Sequence, residues 1–190
     1  MEEWVSRALA RWPNVPALFG WLQLDRRGRW LIQHELISRP QIIDTIGLNY
    51  AADEQGRWYF QNGPQRGYVA LETAPLVLRV AGDGATLATH NGLLVERPGA
   101  AYLDEEGSLL LATEHGPAAL DSADLEWLLE RLDGASDASL EAALALPSGS
   151  STPLRLRWKD RWLTIARLDI ADAPARLGFV RDPQPDVYDL

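Results

Sequence analysis

A short turn signature occurs three times in the sequence and constrains the fold more than any other feature. It reads Asp-x-x-Gly-x-Trp at Asp25 and Asp53, and Asp-x-x-Gly-x-Leu at Asp104. An aspartate side chain can accept hydrogen bonds from its own turn, and glycine adopts a positive φ without strain. The signature therefore predicts a reused β-hairpin. Its unequal spacings of 28 and 51 residues exclude a solenoid or propeller with a fixed period.

Strand-like segments occupy most of the chain between and beyond these turns, separated by clusters of Gly, Asn, Asp and Pro. We expect strands at residues 19–24, 29–33, 57–61, 67–71, 76–80, 86–90, 93–97 and 108–113. Asn91-Gly92 predicts a type I′ turn and a tight hairpin, because both residues tolerate a positive φ. A final hairpin is predicted over residues 154–158 and 161–167, with its turn at Lys159-Asp160.

Helical signals are fewer and shorter. Helices are predicted at residues 2–11, 38–46, 121–132 and 139–146. In the second, Ser38 caps the first turn, Pro40 lies within it and Gly47 ends the helix. The third is predicted to bury one face, formed by Leu125, Leu128, Leu129 and Leu132, with Trp127 at its edge. The fold class is therefore α+β, an antiparallel sheet-rich body with repeated β-hairpins and a few short helices packed on it.

The length of 190 residues suits one domain or two small halves. We expect a main body at residues 1–146, divisible into repeated halves at about 15–72 and 73–146. Residues 147–190 are expected to supply a linker, the terminal hairpin and a tail packed on that body. The tail from Asp182 onward is acidic and the hairpin is basic, which predicts that the tail docks onto the hairpin.

Charge and composition limit the partners and the compartment. A net charge of -9 repels phosphate backbones and anionic membrane surfaces, so we expect neither a nucleic-acid nor a membrane partner. The absence of cysteine rules out disulfides, thiolate metal sites and a cysteine nucleophile. Residues 1–11 lack the basic start and apolar run of a signal peptide, and no segment has the roughly 20 apolar residues of a membrane span. We therefore expect a cytoplasmic protein.

Motifs for catalysis, metals and cofactors are missing from the sequence. His34, His90 and His115 lie on separate segments without metal-ligand spacing, and the loop around Ser150 lacks the nucleophile elbow Gly-x-Ser-x-Gly. The turn at Gly82-Asp83-Gly84 is not a nucleotide-binding fingerprint. We therefore expect no metal and no cofactor, and interpret the repeated aspartates as backbone devices of their turns.

A family resemblance accompanies these motifs. The segments 20–24, 25–30, 37–40, 53–58 and 74–77 resemble uncharacterised proteobacterial domain-of-unknown-function families built on repeated hairpin-helix motifs. The resemblance covers about the first half of the chain. It implies a signalling or regulatory role of the kind proposed for some of these families, and it carries no functional residues over to this sequence.

The terminal hairpin holds the main candidate binding residues. Eight tryptophans exceed ordinary usage, and we expect most to be core and a minority to be exposed. Strand alternation predicts that Leu154, Leu156, Trp158, Leu163 and Ile165 share one face of the hairpin. It puts Arg155, Arg157 and Trp162 on the other face, where arginine beside tryptophan can bind a carboxylate or a phosphate. The same pattern also fits an ordinary solvated outer face.

Three functional hypotheses remain open. The first is a non-enzymatic binding or regulatory module that recognises a partner protein or a small anionic ligand. The alternative is a hydrolase or isomerase with a site assembled from distant turns, for which His34, Asp25 and His90 are the first residues to test. A third is a homodimer, because the predicted sheet over residues 53–120 needs cover for its strand edges or its apolar face.

Overall fold

The computed structural model describes residues 16–185. Within this range the chain forms fourteen strands in two mixed sheets and four short helices, which confirms the α+β class. The contacts divide the chain into two compact units. Unit 1 contains the described residues up to Pro75 together with residues 179–185, and unit 2 is Leu76–Gly178. The helix predicted at residues 2–11 lies outside the described range.

Unit 1 is built on a six-stranded sheet with the order β3-β2-β1-β6-β5-β4. The strands are β1 Ala17–Leu24, β2 Trp30–Ile32, β3 Glu35–Leu36, β4 Tyr50–Ala52, β5 Trp58–Asn62 and β6 Gln65–Leu71. Neighbouring strands are antiparallel except for the central pair β1 and β6, which is parallel. The predicted hairpins are thus present, and a parallel pairing joins one set of hairpins to the other.

One face of this sheet forms the core of unit 1. Trp30 and Trp58 follow the first two Asp-x-x-Gly turns, and both are buried. The ring of Tyr50 lies between them, with centroid distances of 4.9 Å to Trp30 and 4.8 Å to Trp58. The hydroxyl of Tyr50 donates a hydrogen bond to the carbonyl oxygen of Pro75, and burial raises the pKa of Tyr50 well above its usual value. The repeated tryptophans are therefore core residues.

The helix of unit 1, α1, spans Pro40–Leu48 and differs from its prediction at both ends. Arg39, rather than Ser38, is the last residue outside the helix, and no side chain caps the first turn. The residue before a proline is held extended, which explains this shift of one position. Gly47 lies inside the helix instead of ending it, and the helix stops after Leu48, with Asn49 at its C-terminal end.

Unit 2 is built on an eight-stranded sheet with the order β12-β13-β14-β9-β10-β11-β7-β8. The strands are β7 Leu76–Val80, β8 Leu87–Thr89, β9 Ala101–Leu103, β10 Leu109–Thr113, β11 Gly116–Leu120, β12 Leu132–Asp133, β13 Ser151–Trp158 and β14 Arg161–Arg167. The pairs β11 with β7 and β14 with β9 are parallel, and all other pairs are antiparallel. The predicted terminal hairpin is confirmed as β13 and β14.

Of the three α-helices of unit 2, the first is shorter than predicted, the second is displaced by two residues toward the N-terminus, and the third was not predicted. They are α2 Leu125–Leu129, α3 Asp137–Leu144 and α4 Ala173–Leu177. The predicted apolar face of α2 is wrong, because Trp127 and Leu128 are buried whereas Leu125 and Leu129 are exposed. The indole nitrogen of Trp127 donates to the carbonyl oxygen of Ala85 at 3.1 Å and fixes this orientation. Leu132 leaves the helix because it pairs with Leu156 in the sheet.

Two predictions around Asn91 are also wrong. Asn91 does not adopt a positive φ, so the loop is not a type I′ turn, and Gly92 alone takes the left-handed conformation, with φ of 89°. The hydroxyl of Thr89 shapes the loop by accepting from the backbone nitrogen of Leu93. The expected strand at residues 93–97 is reduced to one bridge between Ala88 and Leu94. After that bridge, the backbone nitrogens of residues 96 and 97 donate to the carboxylate of Glu114 instead of to a strand.

No helix within residues 16–185 combines the length and apolar character that are needed to cross a lipid bilayer.

Candidate functional site

The candidate site is an exposed surface at the end of the unit 2 sheet, which we call the hairpin face. It consists of Asp133 on β12, Arg155 and Arg157 on β13, and Trp162 and Thr164 on β14. The register pairs Asp133 with Arg155, Arg155 with Thr164, and Arg157 with Trp162. All five side chains therefore project from the same side of three adjacent strands.

The hairpin sequence itself produces this face. Leu154, Leu156 and Trp158 alternate with the two arginines, and all three are buried on the opposite side. Lys159 adopts a φ of 52° in the two-residue turn, which allows Trp158 to pair with Arg161. The expected separation of the two faces is thus present. A shift of the register by one residue would bury both arginines, so the apolar face fixes which side chains reach solvent.

Arg155 is held in place by two neighbours. Its Nε donates to the Oδ2 of Asp133 at 3.0 Å, and its Nη2 donates to the same oxygen. Its guanidinium carbon lies 5.1 Å from the ring centroid of Trp162, which is a cation–π distance. Trp162 is 47% exposed, the most exposed tryptophan in the described chain. The ring therefore offers a large apolar surface next to a fixed positive charge.

Arg157 differs from Arg155 in having no ion pair with any of the described residues. Its side chain makes no hydrogen bond with any residue from 16 to 185, and it is exposed. Nearby Arg161 donates from Nη2 to the carbonyl oxygen of Pro98 and forms no ion pair with a carboxylate between residues 16 and 185. Lys159 and Asp160 are exposed at the turn. The hairpin end of unit 2 thus carries more positive than negative charge in a chain whose net charge is -9.

The residues proposed for the enzyme alternative have structural partners. The Nδ1 of His34 lies 3.1 Å from the Oε1 of Gln23, in unit 1. The Oδ1 of Asp25 accepts from the backbone nitrogens of Arg27 and Arg29, within its own turn. In unit 2, the Nδ1 of His90 accepts from the backbone nitrogen of Val77 at 3.2 Å. Each of these three residues therefore supports the local backbone or a neighbouring side chain.

A shallow groove of about 280 Å³ lies in unit 1 beside the Asp25 turn. Its polar lining comes from Gln23, Asp25 and Glu72. Partial burial raises the pKa of Glu72, but hydrogen bonds from the backbone and guanidinium of Arg26 outweigh it, so the pKa is lowered overall. A general acid at neutral pH needs a raised pKa, so Glu72 is not suited to that role.

Sequence reasoning missed a buried ionic cluster in the second Asp-x-x-Gly turn. The Oδ2 of Asp53 accepts from the Nε of Arg57 at 2.7 Å and from the hydroxyl of Tyr68 at 3.2 Å. The guanidinium of Arg57 lies 4.6 Å from the ring centroid of Tyr68 and donates to its hydroxyl. The signal was present as an arginine four residues after the aspartate in both Trp-containing motifs. The cluster stabilises the turn.

Neither a metal-binding cluster nor the C-terminal tail adds a second candidate functional site in the described chain. No group of three or more His, Asp or Glu side chains within residues 16–185 could hold a metal ion. The start of the tail belongs to unit 1, where the backbone nitrogen of Leu71 donates to the carbonyl oxygen of Arg181. Residues 186–190, which carry most of the predicted acidic tail, lie outside the described range.

Comparison with known proteins identifies the class of protein but no activity. The family model DUF2944, described as a protein of unknown function (DUF2946), matches residues 1–184. The chain therefore belongs to this family, which confirms the expected domain of unknown function. No curated protein matches the chain.

Two solved structures resemble the fold. A DUF1285 family protein from Silicibacter pomeroyi DSS-3 is 16% identical and has a TM-score of 0.53, with 88% of this chain and 96% of that chain covered. A DUF1285 family protein from Shewanella baltica OS155 is 18% identical and has a TM-score of 0.40, with 55% of this chain and 87% of that chain covered. The first similarity supports the fold alone.

Proposed function

We propose that the protein is a non-enzymatic interaction module whose hairpin face binds a partner protein through a carboxylate on the partner surface. The observation that supports this most directly is Arg157. It is an exposed arginine without a side-chain partner in the described chain, and it lies across from the exposed ring of Trp162. Tryptophan and arginine are the residue types most enriched at binding hot spots.

The chemistry of the face favours a carboxylate. A guanidinium binds a carboxylate through two parallel hydrogen bonds, and such charge-assisted bonds are about twice as strong as neutral ones. Arg155 already shows this preference by binding the carboxylate of Asp133. The partner carboxylate would bind Arg157, while apolar partner atoms would cover the ring of Trp162.

The open surface of the hairpin face and the net charge of the chain favour a protein over other anionic partners. The face is an open sheet surface on which the side chains of Arg155, Arg157, Trp162 and Thr164 are all exposed. Such a surface suits another protein better than a small molecule, which usually binds in a concave pocket. The net charge of -9 opposes a long polyanion such as nucleic acid. A single carboxylate needs only local attraction, which screening confines to about 8 Å at physiological ionic strength.

The test is an NMR titration with a defined acidic probe, acetyl-Glu-Ala-Glu-amide, at low salt. We expect shifts at the Nε–H of Arg157 and at the indole N–H of Trp162. Arg157→Gln should weaken binding about tenfold, since it removes a hydrogen bond between charged groups. Arg97→Gln is the matched control, because Arg97 is also exposed in unit 2 and its side chain has no partner within residues 16–185.

Two results would contradict the proposal, and a third would identify the partner. Equal weakening by Arg97→Gln would show that the probe responds only to overall charge. Equally tight binding of acetate or inorganic phosphate at the hairpin face would identify a small-anion site instead of a protein contact. Shifts at Trp162 that depend on protein concentration without any peptide would identify a second copy of the chain as the partner.

A further inference from the structure

Asp133 already occupies part of the hairpin face. It lies on β12, a two-residue strand at the edge of the unit 2 sheet, directly across from Arg155. The two side chains are about half exposed, at 50% for Arg155 and 42% for Asp133, so water and a partner can reach both. The Oδ2 of Asp133 accepts from two nitrogens of the same guanidinium. Asp133 thus holds the position that a partner carboxylate would take on Arg155.

The backbone around Asp133 is built to hold this position. Gly134 has a φ of 78°, and a side chain there would begin 3.4 Å from the carbonyl oxygen of Pro153 on the neighbouring strand. The hydroxyl of Ser139 donates to the carbonyl oxygen of Gly134 at 2.6 Å, which ties the end of β12 to the capping box of α3. The backbone that follows Asp133 is therefore held in place.

We infer that Asp133 is an intramolecular competitor that determines which partners the hairpin face accepts. This inference rests on the proposed function. In the free protein Asp133 neutralises Arg155 and leaves Arg157 open. A partner with one carboxylate binds Arg157 alone, whereas a partner with two carboxylates also displaces Asp133 from Arg155.

Strand geometry defines the partner more closely. Arg155 and Arg157 are two residues apart on one face of β13, which separates them by about 7 Å. Acidic residues at alternate positions of an extended segment have the same spacing. The preferred partner is therefore an extended protein segment of the form Glu-x-Glu or Asp-x-Asp, with an apolar group that can cover Trp162.

The test compares acetyl-Glu-Ala-Glu-amide with acetyl-Glu-Ala-Ala-amide on wild type and Asp133→Asn, with binding followed by NMR. The variant should bind the two-carboxylate peptide about fivefold more tightly at low salt, a gain in the range of one exposed ion pair. The one-carboxylate peptide should gain less. In the Arg155→Gln background the gain from Asp133→Asn should vanish. Without peptide, Asp133→Asn should shift the Nε–H signal of Arg155.

The control is Glu72→Gln, which removes the same charge from another exposed ion pair, that with Arg26 in unit 1. An equal gain from Glu72→Gln, or a gain that persists with Arg155→Gln, would overturn the inference in favour of a general charge effect. If wild type binds through Arg157 and Asp133→Asn binds no tighter, the inference fails while the proposed function stands. If neither protein binds either peptide, both fail.

Discussion

The turns at Asp25 and Asp53 share one sequence pattern and one hydrogen-bond geometry. In each, the Oδ1 of the aspartate accepts from the backbone nitrogens two and four residues later, and its Oδ2 accepts from the arginine Nε at 2.7 Å. In each, the glycine nitrogen also donates to the aspartate carbonyl oxygen. The two occurrences of Asp-x-x-Gly-Arg-Trp thus form the same local structure.

The surroundings of the two turns differ. The Arg29 side chain is 53% exposed, whereas the Arg57 side chain is 10% exposed and lies against Tyr68. The arginine of the same ion pair is therefore half exposed in one turn and part of a buried cluster in the other. The comparison also shows how Arg157 in the hairpin face differs from these two arginines. An arginine four residues after such an aspartate is already bound to the aspartate carboxylate. Arg157 lies outside any such turn and is open to a partner.

The largest difference between the two turns should appear in stability. Arg57→Gln leaves the nearly buried carboxylate of Asp53 without its counter-ion, and breaking a buried pair typically costs about 3 kcal/mol or more. Arg29→Gln removes a half-exposed guanidinium whose place beside Asp25 water can take, so it should cost about 1 kcal/mol or less. Urea unfolding of the two variants gives both free energies. Asp53→Asn combined with Arg57→Gln should recover part of the loss, because no charge is then left buried. Equal losses for the two single variants would show that burial does not separate the turns.

A second difference should appear in the free energy of unfolding at acid pH. Burial raises the pKa of Asp53, but hydrogen bonds from the side chain and backbone of Arg57, together with its charge, outweigh this and lower the pKa overall. A lowered pKa in the folded state stabilises the protein above the unfolded-state pKa of about 4, and this contribution is lost as the pH falls through the folded value. The free energy of unfolding of Asp53→Asn should therefore fall less steeply below about pH 4 than that of wild type. Parallel curves would show that Asp53 does not contribute to acid unfolding.

Local signals account for the parts of the fold that the sequence predicted well. The Asp25 and Lys159 hairpins depend on side chains and glycines within a few residues, and both form as expected. Two further predictions failed because a distant partner determined the outcome. Leu132 joins the sheet because it pairs with Leu156, and residues 96 and 97 bind Glu114 rather than extend a strand. The parallel pairs between hairpins likewise join segments that are far apart in the sequence.

The candidate site shows the same division. Alternation along β13 and β14 is local, so the common face of Arg155, Arg157 and Trp162 was predictable. The competing carboxylate was not, because Asp133 is 22 residues from Arg155 in sequence and was expected just beyond a helix. Which arginine is free depends on that pairing. The sequence therefore indicates the surface, and the tertiary pairing decides which of its charges are available.

The smallest expected effect concerns the third turn, which has Ser108 where the other two have arginine. The Oδ1 of Asp104 accepts from the backbone nitrogens of Glu106 and Ser108, as in the other turns. Burial raises the pKa of Asp104 despite these bonds, because no guanidinium lies four residues later. With a raised folded-state pKa, stability decreases as the pH rises from about 4 through that value.

Introducing the missing arginine should reverse the direction of the pKa shift of Asp104. Ser108→Arg places a positive charge where Arg57 lies in the second turn, so it should lower the pKa of Asp104. A carbon-13 NMR titration of the carboxyl group measures this pKa in both proteins. Ser108→Gln controls for side-chain size without charge and should leave the pKa raised. If Ser108→Gln lowers the pKa as far as Ser108→Arg does, the guanidinium is not what separates Asp53 from Asp104. Burial, together with the charges of Glu105 and Glu106, is then the cause of the raised pKa of Asp104.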